Sequence, residues 1–442
     1  MPPPASRAVP LTLPGGAVER ANAPLAAAHA DDLDALSARL ARRGVDVGAV
    51  VGEIAAFEVA VPSWAFGTGG TRFGRFPGAG EPLTVLDKLD DAAAVHALTG
   101  AAPRVSLHLP WDAPTGATGG AAGLREHAAA RGLGFDAVNS NTFQDQAGQA
   151  RSYKFGSLAH TDAGVRRQAI DHNLAVIETG AALGSAALTV WLADGTSFPG
   201  QASLRGQFAR VEAALGEIYA GLPTGWRLFT EHKPYEPAFY ATVVQDWGAS
   251  LMLAQALGPR AACLVDLGHH LPNTNVELVV ARLLHAGRLG GFHFNDSAYG
   301  DDDLTTGSLR PYRLFLVFHE LAQAARDALP GFDPAYMIDQ SHNLKDPIED
   351  LLQTVDALQT AYAQALLVDA VALAAAQDAN DVVMAERCLQ TAFRTDVAPL
   401  VAEARRRRGA ALDPVGAFRA SGYRAAAAQA RAGGAYAPPQ AL

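Results

Sequence analysis

The sequence predicts an α/β protein built on a closed (β/α)8 TIM barrel, with additional N- and C-terminal helices. Between about residues 50 and 340, eight short β-type runs alternate with longer segments whose apolar residues recur with helical spacing. An open doubly wound sheet usually has fewer strands, and no glycine-rich turn opens a helix directly after the first run. The chain has 442 residues, of which 49% are hydrophobic, so it can fill a large core.

The eight predicted strands share a composition that suits burial on both faces of a parallel sheet. Each is rich in Val, Leu, Ile or Phe and is bounded by Gly, Pro or Asp. They cover residues 55–62, 104–111, 135–141, 187–194, 226–232, 262–268, 290–296 and 335–341. Parallel strands require crossover connections, and helices are predicted between them at 90–100, 165–184, 210–222, 275–287 and 311–329.

The two ends of the chain predict helical additions to the barrel. Residues 1–50 are predicted to form an N-terminal arm and a helix at 31–44, and residues 51–346 to form the barrel. Residues 347–442 form an alanine-rich extension with helical apolar spacing. Because that spacing leaves one apolar face, we expect the extension to pack on the barrel or on a neighbouring subunit.

Charge, cysteine content and hydropathy exclude several classes of protein. The net charge is −10, and the longest basic run is Arg405–Arg408, so a nucleic-acid partner is not expected. Two cysteines, Cys263 and Cys388, are too few for a disulfide framework. No stretch has 18 uninterrupted apolar residues and the N-terminus lacks a signal-peptide pattern. We therefore expect a cytoplasmic protein that binds no membrane and acts on a small molecule.

Polar side chains collect where the predicted strands end. All eight C-terminal strand ends of a barrel lie on one face, so these side chains are expected to meet there. A buried polar group is costly unless it is paired or bound to a metal, which makes their repeated occurrence informative. The residues are His108, Asn139, Trp191, Asp194, Glu231, Lys233, Asp266, His269, His293, Asn295, Asp339 and Ser341, together with the acidic loop Asp301–Asp303.

The types of these side chains predict a metal site. Carboxylates with a minority of imidazoles suit Mn²⁺, Mg²⁺ or Co²⁺, whereas a structural zinc site would use thiolates. The candidate ligands exceed what one octahedral ion needs, so we expect two neighbouring divalent ions that share a carboxylate. The candidates are Glu231, Asp266, His269, His293, Asp301, Asp303 and Asp339.

Other residues near these ends suit a polyol substrate. Lys233 lies two residues beyond Glu231 on the same strand, so both side chains point to the same side. Its compact ammonium could hold a substrate oxygen. Aromatic residues on the loops that follow strands are candidate walls of the pocket, and these are Trp64, Phe73, Phe143 and Trp191.

Long segments of the chain resemble a known family. The segments include VPSWAFGTGGTRFGRF, VSLHLPWD, EHKPYEPAFY, LVDLGHHLPNTN and GGFHFNDSAYGDDDL. From about residue 30 to residue 425 the sequence is similar to bacterial L-rhamnose isomerases of the broad-specificity Pseudomonas type. This resemblance implies a barrel of the xylose isomerase-like superfamily. It also implies interconversion of an aldose and a ketose with two divalent ions per subunit, Mn²⁺ foremost and Co²⁺, Mg²⁺ or Zn²⁺ as alternatives.

The resemblance also implies roles for individual residues. One ion would be held by Glu231, Asp266, His293 and Asp339, and the second by His269, Asp301 and Asp303 with Asp266 or water. The catalytic set would be Lys233, Asp339, His108 and Asp303, with Lys233 on sugar hydroxyls and His108 near the ring or C1 oxygen. Substrate-binding residues would be Trp64, Phe73, His108, Phe143, Trp191, Lys233 and Ser341. Phe73 would reach a neighbouring subunit's active site, which implies a homotetramer.

Several alternatives stay open at this level. The hydrogen could move from C2 to C1 as a hydride, or as a proton through a carboxylate such as Asp339. The preferred sugar could be L-rhamnose, L-mannose, L-lyxose, D-allose or D-allulose, which differ in the direction of single hydroxyl groups. A metal-dependent phosphodiesterase or endonuclease of the same superfamily is the alternative function, but it predicts a third metal site and a basic groove. The net charge of −10 does not favour it.

Overall fold

Eight parallel strands close into a barrel, which confirms the predicted fold class. The computed structural model describes residues 11–67, 78–146, 148–235, 240–341 and 344–431. Across these residues the strands are β1 (Ala60–Pro62), β2 (Arg104–Leu109), β3 (Gly134–Ser140), β4 (Ala187–Trp191), β5 (Gly195–Thr196), β6 (Arg227–Glu231), β7 (Ala241–Thr242), β8 (Ala261–Asp266), β9 (Leu289–Phe294) and β10 (Ala335–Ile338). The order around the barrel is β1-β10-β9-β8-β6-β4-β3-β2, while β5 and β7 form a separate antiparallel pair.

Helices lie between the strands and at both ends of the described chain. They are α1 (Ala17–Asn22), α2 (Ala26–Ala41), α3 (Val47–Ala56), α4 (Ser63–Phe66), α5 (Val85–Thr99), α6 (Gly120–Ala129), α7 (Ala163–Leu183), α8 (Leu204–Ala220), α9 (Trp247–Leu257), α10 (Val276–His285), α11 (Pro311–Arg326), α12 (Pro347–Leu366), α13 (Ala370–Asp378), α14 (Val382–Phe393), α15 (Ala398–Arg407), α16 (Pro414–Ser421) and α17 (Tyr423–Ala430). Each predicted crossover helix overlaps one of α5, α7, α8, α10 and α11.

The first predicted strand is shorter than its apolar pattern indicated. Residues 55 and 56 belong to α3, and β1 begins only at Ala60. Asp46 caps α3 by accepting the N–H of Ala49 at 3.0 Å, and Val50, Val51 and Ile54 are buried at helical spacing. The packing of this buried face therefore extends α3 into the apolar run at 55–62. Periodicity alone does not show where in that run the helix ends and the strand begins.

The interior of the barrel is filled from its N-terminal side. A small apolar cluster comprises Ala60, Ala137, Ala187, Phe229, Leu264 and Met337, contributed by six different strands. A larger apolar cluster occupies the space between the strands and the surrounding helices. The C-terminal mouth of the barrel lies above this apolar floor.

The C-terminal helices pack on helices that surround the barrel and on the N-terminal helices α2 and α3. The helix α12 contacts α11, α5 and α3, and α15 contacts α3 and α2. In the described part of the chain, no single helix is both long and apolar enough to cross a membrane. The pair α12 and α13 reaches that threshold together but is bent by 62° at the break between them.

His319 on α11 predicts a loss of stability in acid. Its side chain is buried, and burial together with the charge of Arg326 lowers its pKa from 6.5 to about 4. The unfolded chain therefore takes up a proton near pH 6.5, while the folded chain resists protonation until about pH 4. The contribution of this residue to the free energy of unfolding is fully present above pH 6.5. As the pH falls from 6.5 to 4, that contribution decreases by up to about 3 kcal/mol.

The substitution His319→Gln is expected to flatten this pH dependence. Urea denaturation of both proteins at pH 7, 5.5 and 4.5 measures the free energy of unfolding. The wild-type protein should lose more of it than the variant between pH 7 and 4.5. His285→Gln, on the exposed side of α10, is the control for removal of an imidazole. Parallel curves for wild type and His319→Gln would contradict the prediction.

Candidate metal centre

The positions of the site residues follow from the two-residue period of the strands. Side chains alternate between the two faces of a strand, so a residue two positions beyond an inward-facing one also faces inward. Glu231, Asp266 and Asp339 each follow the floor residues Phe229, Leu264 and Met337 by two positions. The apolar floor therefore places three carboxylates above itself, at the C-terminal mouth of the barrel.

These three carboxylates and His293 form a compact cluster. One ligand atom from each of Glu231, Asp266, His293 and Asp339 lies within 4.8 Å of all the others. The Nδ1 atom of His293 is 3.2 Å from Oε1 of Glu231, 3.3 Å from Oδ2 of Asp339 and 3.9 Å from Oδ2 of Asp266. Among the described residues this is the group close enough to share one ion.

The donor set of the cluster fits a divalent cation. Glu231, Asp266 and His293 are almost fully buried, and three carboxylates at such separations repel one another without a positive charge between them. Three hard oxygen ligands and one imidazole nitrogen are the donors that Mn²⁺, Mg²⁺ or Co²⁺ accepts. A buried group of this composition could therefore hold a metal ion.

The pKa values of the cluster show the repulsion between buried charges that a cation would relieve. Burial raises the pKa of Asp339 to about 7, since the charges of Asp266 and Glu231 add to burial and exceed the effect of His293. Burial would lower the pKa of His293, but the charge and hydrogen bond of Glu231 raise it to about 9. Burial would likewise raise the pKa of Glu231. The charge of His293 and hydrogen bonds from His269 and His293 instead hold this pKa below its usual range.

The other predicted ligands lie beside this cluster. The Nδ1 atom of His269 is 3.1 Å from Oε1 of Glu231, and its Nε2 atom is 2.9 Å from Oδ1 of Asp301. Asp303 accepts the hydroxyl hydrogen of Ser341 at 3.1 Å. Asp301 and Asp303 both have left-handed backbones, with φ of 56° and 49°, so the acidic loop turns tightly at both residues.

Lys233 stands between the acidic loop and an aromatic ring. Its Nζ atom is 2.5 Å from Oδ2 of Asp301 and 4.8 Å from the centre of the Trp191 ring. Both Glu231 and Lys233 line the same cavity, as the two-residue spacing indicated. The ammonium is therefore placed at the edge of the cavity, where it could meet a substrate oxygen.

The cavity itself is lined by aromatic rings as well as carboxylates. It has a volume of about 180 Å³, and its wall includes Trp64, His108, Phe143 and Trp191. The indole N–H of Trp64 donates to Oδ1 of Asp339 at 2.7 Å, which links the wall to the cluster. Burial lowers the pKa of His108 to about 3, so its imidazole is neutral. Phe73 lies outside the described residues, and its contribution stays a prediction.

One aromatic residue of this wall, Trp111, was not predicted from the strand pattern. Trp111 stacks on His108 with ring centres 4.2 Å apart and lies at right angles to Phe143. It is the last residue of the predicted strand at 104–111, so the rule that strand ends face the mouth could have found it. In the structure β2 ends at Leu109, and Trp111 belongs to the turn that follows.

Solved structures with a similar fold agree with this architecture. An L-ribulose 3-epimerase superposes with a TM-score of 0.50 at 15% identity, covering 71% of this chain and 98% of that one. A D-allulose 3-epimerase from Methylomonas sp. also has a TM-score of 0.50, at 12% identity, covering 69% of this chain and 98% of that one. At these identities the likeness shows the fold. The fold and the cluster together define a TIM barrel that could hold a metal ion in its mouth.

Curated relatives show the family. A probable sugar isomerase of Rhizobium meliloti is 59% identical over 402 residues, which are 90% of this chain and 92% of that protein. A probable sugar isomerase of Mesorhizobium japonicum is 57% identical over 400 residues, with the same coverage of both chains. No model of a protein family matches the sequence. On the strength of the two relatives, the chain belongs to this family of probable sugar isomerases.

Proposed function

We propose that the protein is a metal-dependent aldose–ketose isomerase that interconverts L-rhamnose and L-rhamnulose. The observation that carries this proposal is the buried cluster of Glu231, Asp266, His293 and Asp339, set in a cavity with an aromatic wall. The cavity, with a volume of about 180 Å³, restricts the substrate to a small molecule. The family relation to probable sugar isomerases supports the same class of reaction.

The reaction needs charge stabilisation and a controlled transfer of hydrogen. Moving the carbonyl from C1 to C2 shifts one hydrogen from C2 to C1 and one proton from O2 to O1, with no external oxidant or reductant. Divalent ions bound to the carboxylates would supply positive charge that stabilises the oxygens as their charge develops. The C2 hydrogen moves either directly as a hydride or as a proton through a carboxylate such as Asp339, and both routes stay open.

The side chains around the cluster are proposed to bind and orient the sugar. Lys233 donates hydrogen bonds to substrate oxygens, since its ammonium stands at the edge of the cavity. The neutral imidazole of His108 can accept or donate a hydrogen bond at the ring oxygen or the C1 oxygen. The apolar faces of Trp64, Phe143 and Trp191 exclude water and contact the C–H groups of the sugar.

The metal complement and assembly are also part of the proposal. One ion is assigned to Glu231, Asp266, His293 and Asp339, and a second to His269, Asp301 and Asp303 with Asp266 or water. Mn²⁺ is the proposed metal, and D-allose with D-allulose is a proposed further substrate pair. We also propose that the protein is cytoplasmic and forms a homotetramer, in which Phe73 completes the active site of a neighbouring subunit. The mass of the native protein in solution tests this assembly.

Removal of metal provides a direct test of the function. Incubation with EDTA is expected to abolish conversion of L-rhamnose, and added Mn²⁺ or Co²⁺ should restore it. The reason is that the proposed reaction needs a cation bound to the carboxylate cluster. Chromatography of the products from a panel of aldoses and ketoses, with kcat/KM for each, identifies the preferred pair. Full turnover in EDTA would overturn the metal dependence. Epimerisation of a ketose without any aldose product would overturn the proposed reaction.

A further inference from the structure

The carboxylate of Asp266 is held in one orientation by three N–H donors on one oxygen. Its Oδ1 atom accepts the backbone N–H of Gly268 at 2.7 Å, the backbone N–H of His269 at 3.1 Å and the side-chain N–H of Asn295 at 2.9 Å. A carboxylate oxygen has two lone pairs, so three donors occupy Oδ1 fully. The other oxygen, Oδ2, faces the cluster, 3.9 Å from Nδ1 of His293.

Asn295 is the side chain in this arrangement that can be changed without altering the backbone donors. It follows His293 by two positions and is 1% exposed. Its Nδ2 atom lies 2.9 and 3.1 Å from the two oxygens of Asp266. An amide donates to the carboxylate without adding charge, whereas an acid at this position would add a further negative charge to the cluster.

Gly268 allows the close approach of this pair. A Cβ atom at position 268 would lie 3.1 Å from Oδ1 of Asn295 and 3.2 Å from Oδ1 of Asp266. These separations are tighter than ordinary van der Waals contact, so a side chain at 268 would push both groups by a few tenths of an ångström. Glycine at this position and asparagine at 295 therefore act on the same carboxylate.

We infer that Asn295 is a positioning residue that orients the Asp266 carboxylate through its contacts with both oxygens. Oδ1, with three N–H donors, is committed to hydrogen bonds, whereas Oδ2 receives only the 3.1 Å contact from Asn295 and keeps a lone pair for a cation. The inference rests on the proposed function, since it assigns the way in which one predicted ligand is presented. With Oδ1 occupied, Asp266 offers one oxygen atom, so any sharing of this carboxylate between two ions occurs through that atom or through water.

Measuring the binding of Mn²⁺ to metal-free protein tests the inference without an activity assay. Asn295→Leu keeps the branched shape of the side chain, although its methyl groups are larger, and removes both N–H hydrogens. Its dissociation constant for Mn²⁺, measured by calorimetry, is expected to rise by about 10- to 100-fold, as for other residues that orient a metal ligand. The thermal midpoint of each metal-free protein shows whether the fold is intact. A purely structural role would lower that midpoint and leave Mn²⁺ affinity unchanged.

A matched control is available on another element. Asn173 in α7 is also fully buried and donates to the carbonyl of Ala169, far along the chain from the cluster. Asn173→Leu is expected to leave the Mn²⁺ affinity unchanged, even where it lowers the thermal midpoint. If Asn295→Leu fails to fold, Gly268→Ala is used in its place, with an expected loss of affinity of several-fold.

The outcomes separate the inference from the proposed function. Unchanged Mn²⁺ affinity in folded Asn295→Leu, or in Gly268→Ala where that variant replaces it, overturns the positioning role while the metal centre stands. Failure of the wild-type protein to bind Mn²⁺ overturns the metal centre and the inference together. Weakened binding in Asn295→Leu with unchanged binding in Asn173→Leu supports the assignment.

Discussion

The variant Asp266→Asn is expected to lose activity toward L-rhamnose by about a thousandfold or more. Asp266 is fully buried, and its Oδ2 atom lies within 4.0 Å of the Nδ1 atoms of both His269 and His293. The substitution removes a negative charge from the centre of the cluster and replaces one oxygen with an N–H group. The positive charge that the reaction needs would then be poorly held.

Two measurements check this result. Initial rates with Mn²⁺ give kcat and KM, and elemental analysis of the purified variant gives the bound metal, which should fall as well. Asp136→Asn is the control, because Asp136 is a half-buried acid of β3 near its N-terminal end, beside Arg104 rather than the cluster. The control should keep its activity. Wild-type metal content with full turnover in Asp266→Asn would refute the role of this carboxylate.

The variant Arg431→Met is expected to lower the free energy of unfolding by about 3–5 kcal/mol. Arg431, next to the end of α17, donates to Asp91 of α5 at 2.9 and 2.7 Å, and both side chains are almost fully buried. Tyr423 donates to the same carboxylate at 2.7 Å. Removal of the guanidinium leaves the Asp91 carboxylate buried without its ion-pair partner, and this is more costly than loss of the pair itself.

Urea denaturation measures this effect, and two further variants interpret it. The double variant Asp91→Leu with Arg431→Met should be less destabilised than the sum of the two single variants, because it buries no unpaired charge. Arg419→Met breaks an ion pair with Glu349 on the surface, where the arginine side chain is 68% exposed, and should have a smaller effect. A loss in Arg431→Met no larger than in Arg419→Met would contradict the prediction.

The barrel could be predicted from the sequence because its signals are local. Each of the eight predicted strands overlaps one barrel strand, since an apolar run bounded by glycine, proline or aspartate reports the burial of a parallel strand. The pair β5 and β7 was not predicted. Each has two residues, and such short strands exist through pairing between distant segments, which leaves no periodic pattern.

The distances among the candidate ligands could not be predicted from the sequence. Strand-end positions brought together Glu231, Asp266, His293, Asp339, His269, Asp301 and Asp303. Spacing along the chain did not divide this set, and its division into two ligand groups was implied only by the resemblance to a known family. In the structure the first four form the compact cluster, while Asp301 contacts Lys233 and His269. Side chains on different strands meet according to the closure of the barrel and the rotamer of each residue, and neither is encoded in spacing along the chain.

By itself the sequence determined that Glu231, Asp266, His293 and Asp339 stand at the C-terminal ends of barrel strands, because the position of a residue in an apolar run is a local property of the chain. Only the tertiary structure decided what each of those residues does there. Asn295 and Asp266 are 29 positions apart, and the hydrogen bonds that orient the carboxylate arise when β8 and β9 pair side by side. Such contacts depend on the folded arrangement of both strands, so the same two residues carry no recognisable signal in the linear chain.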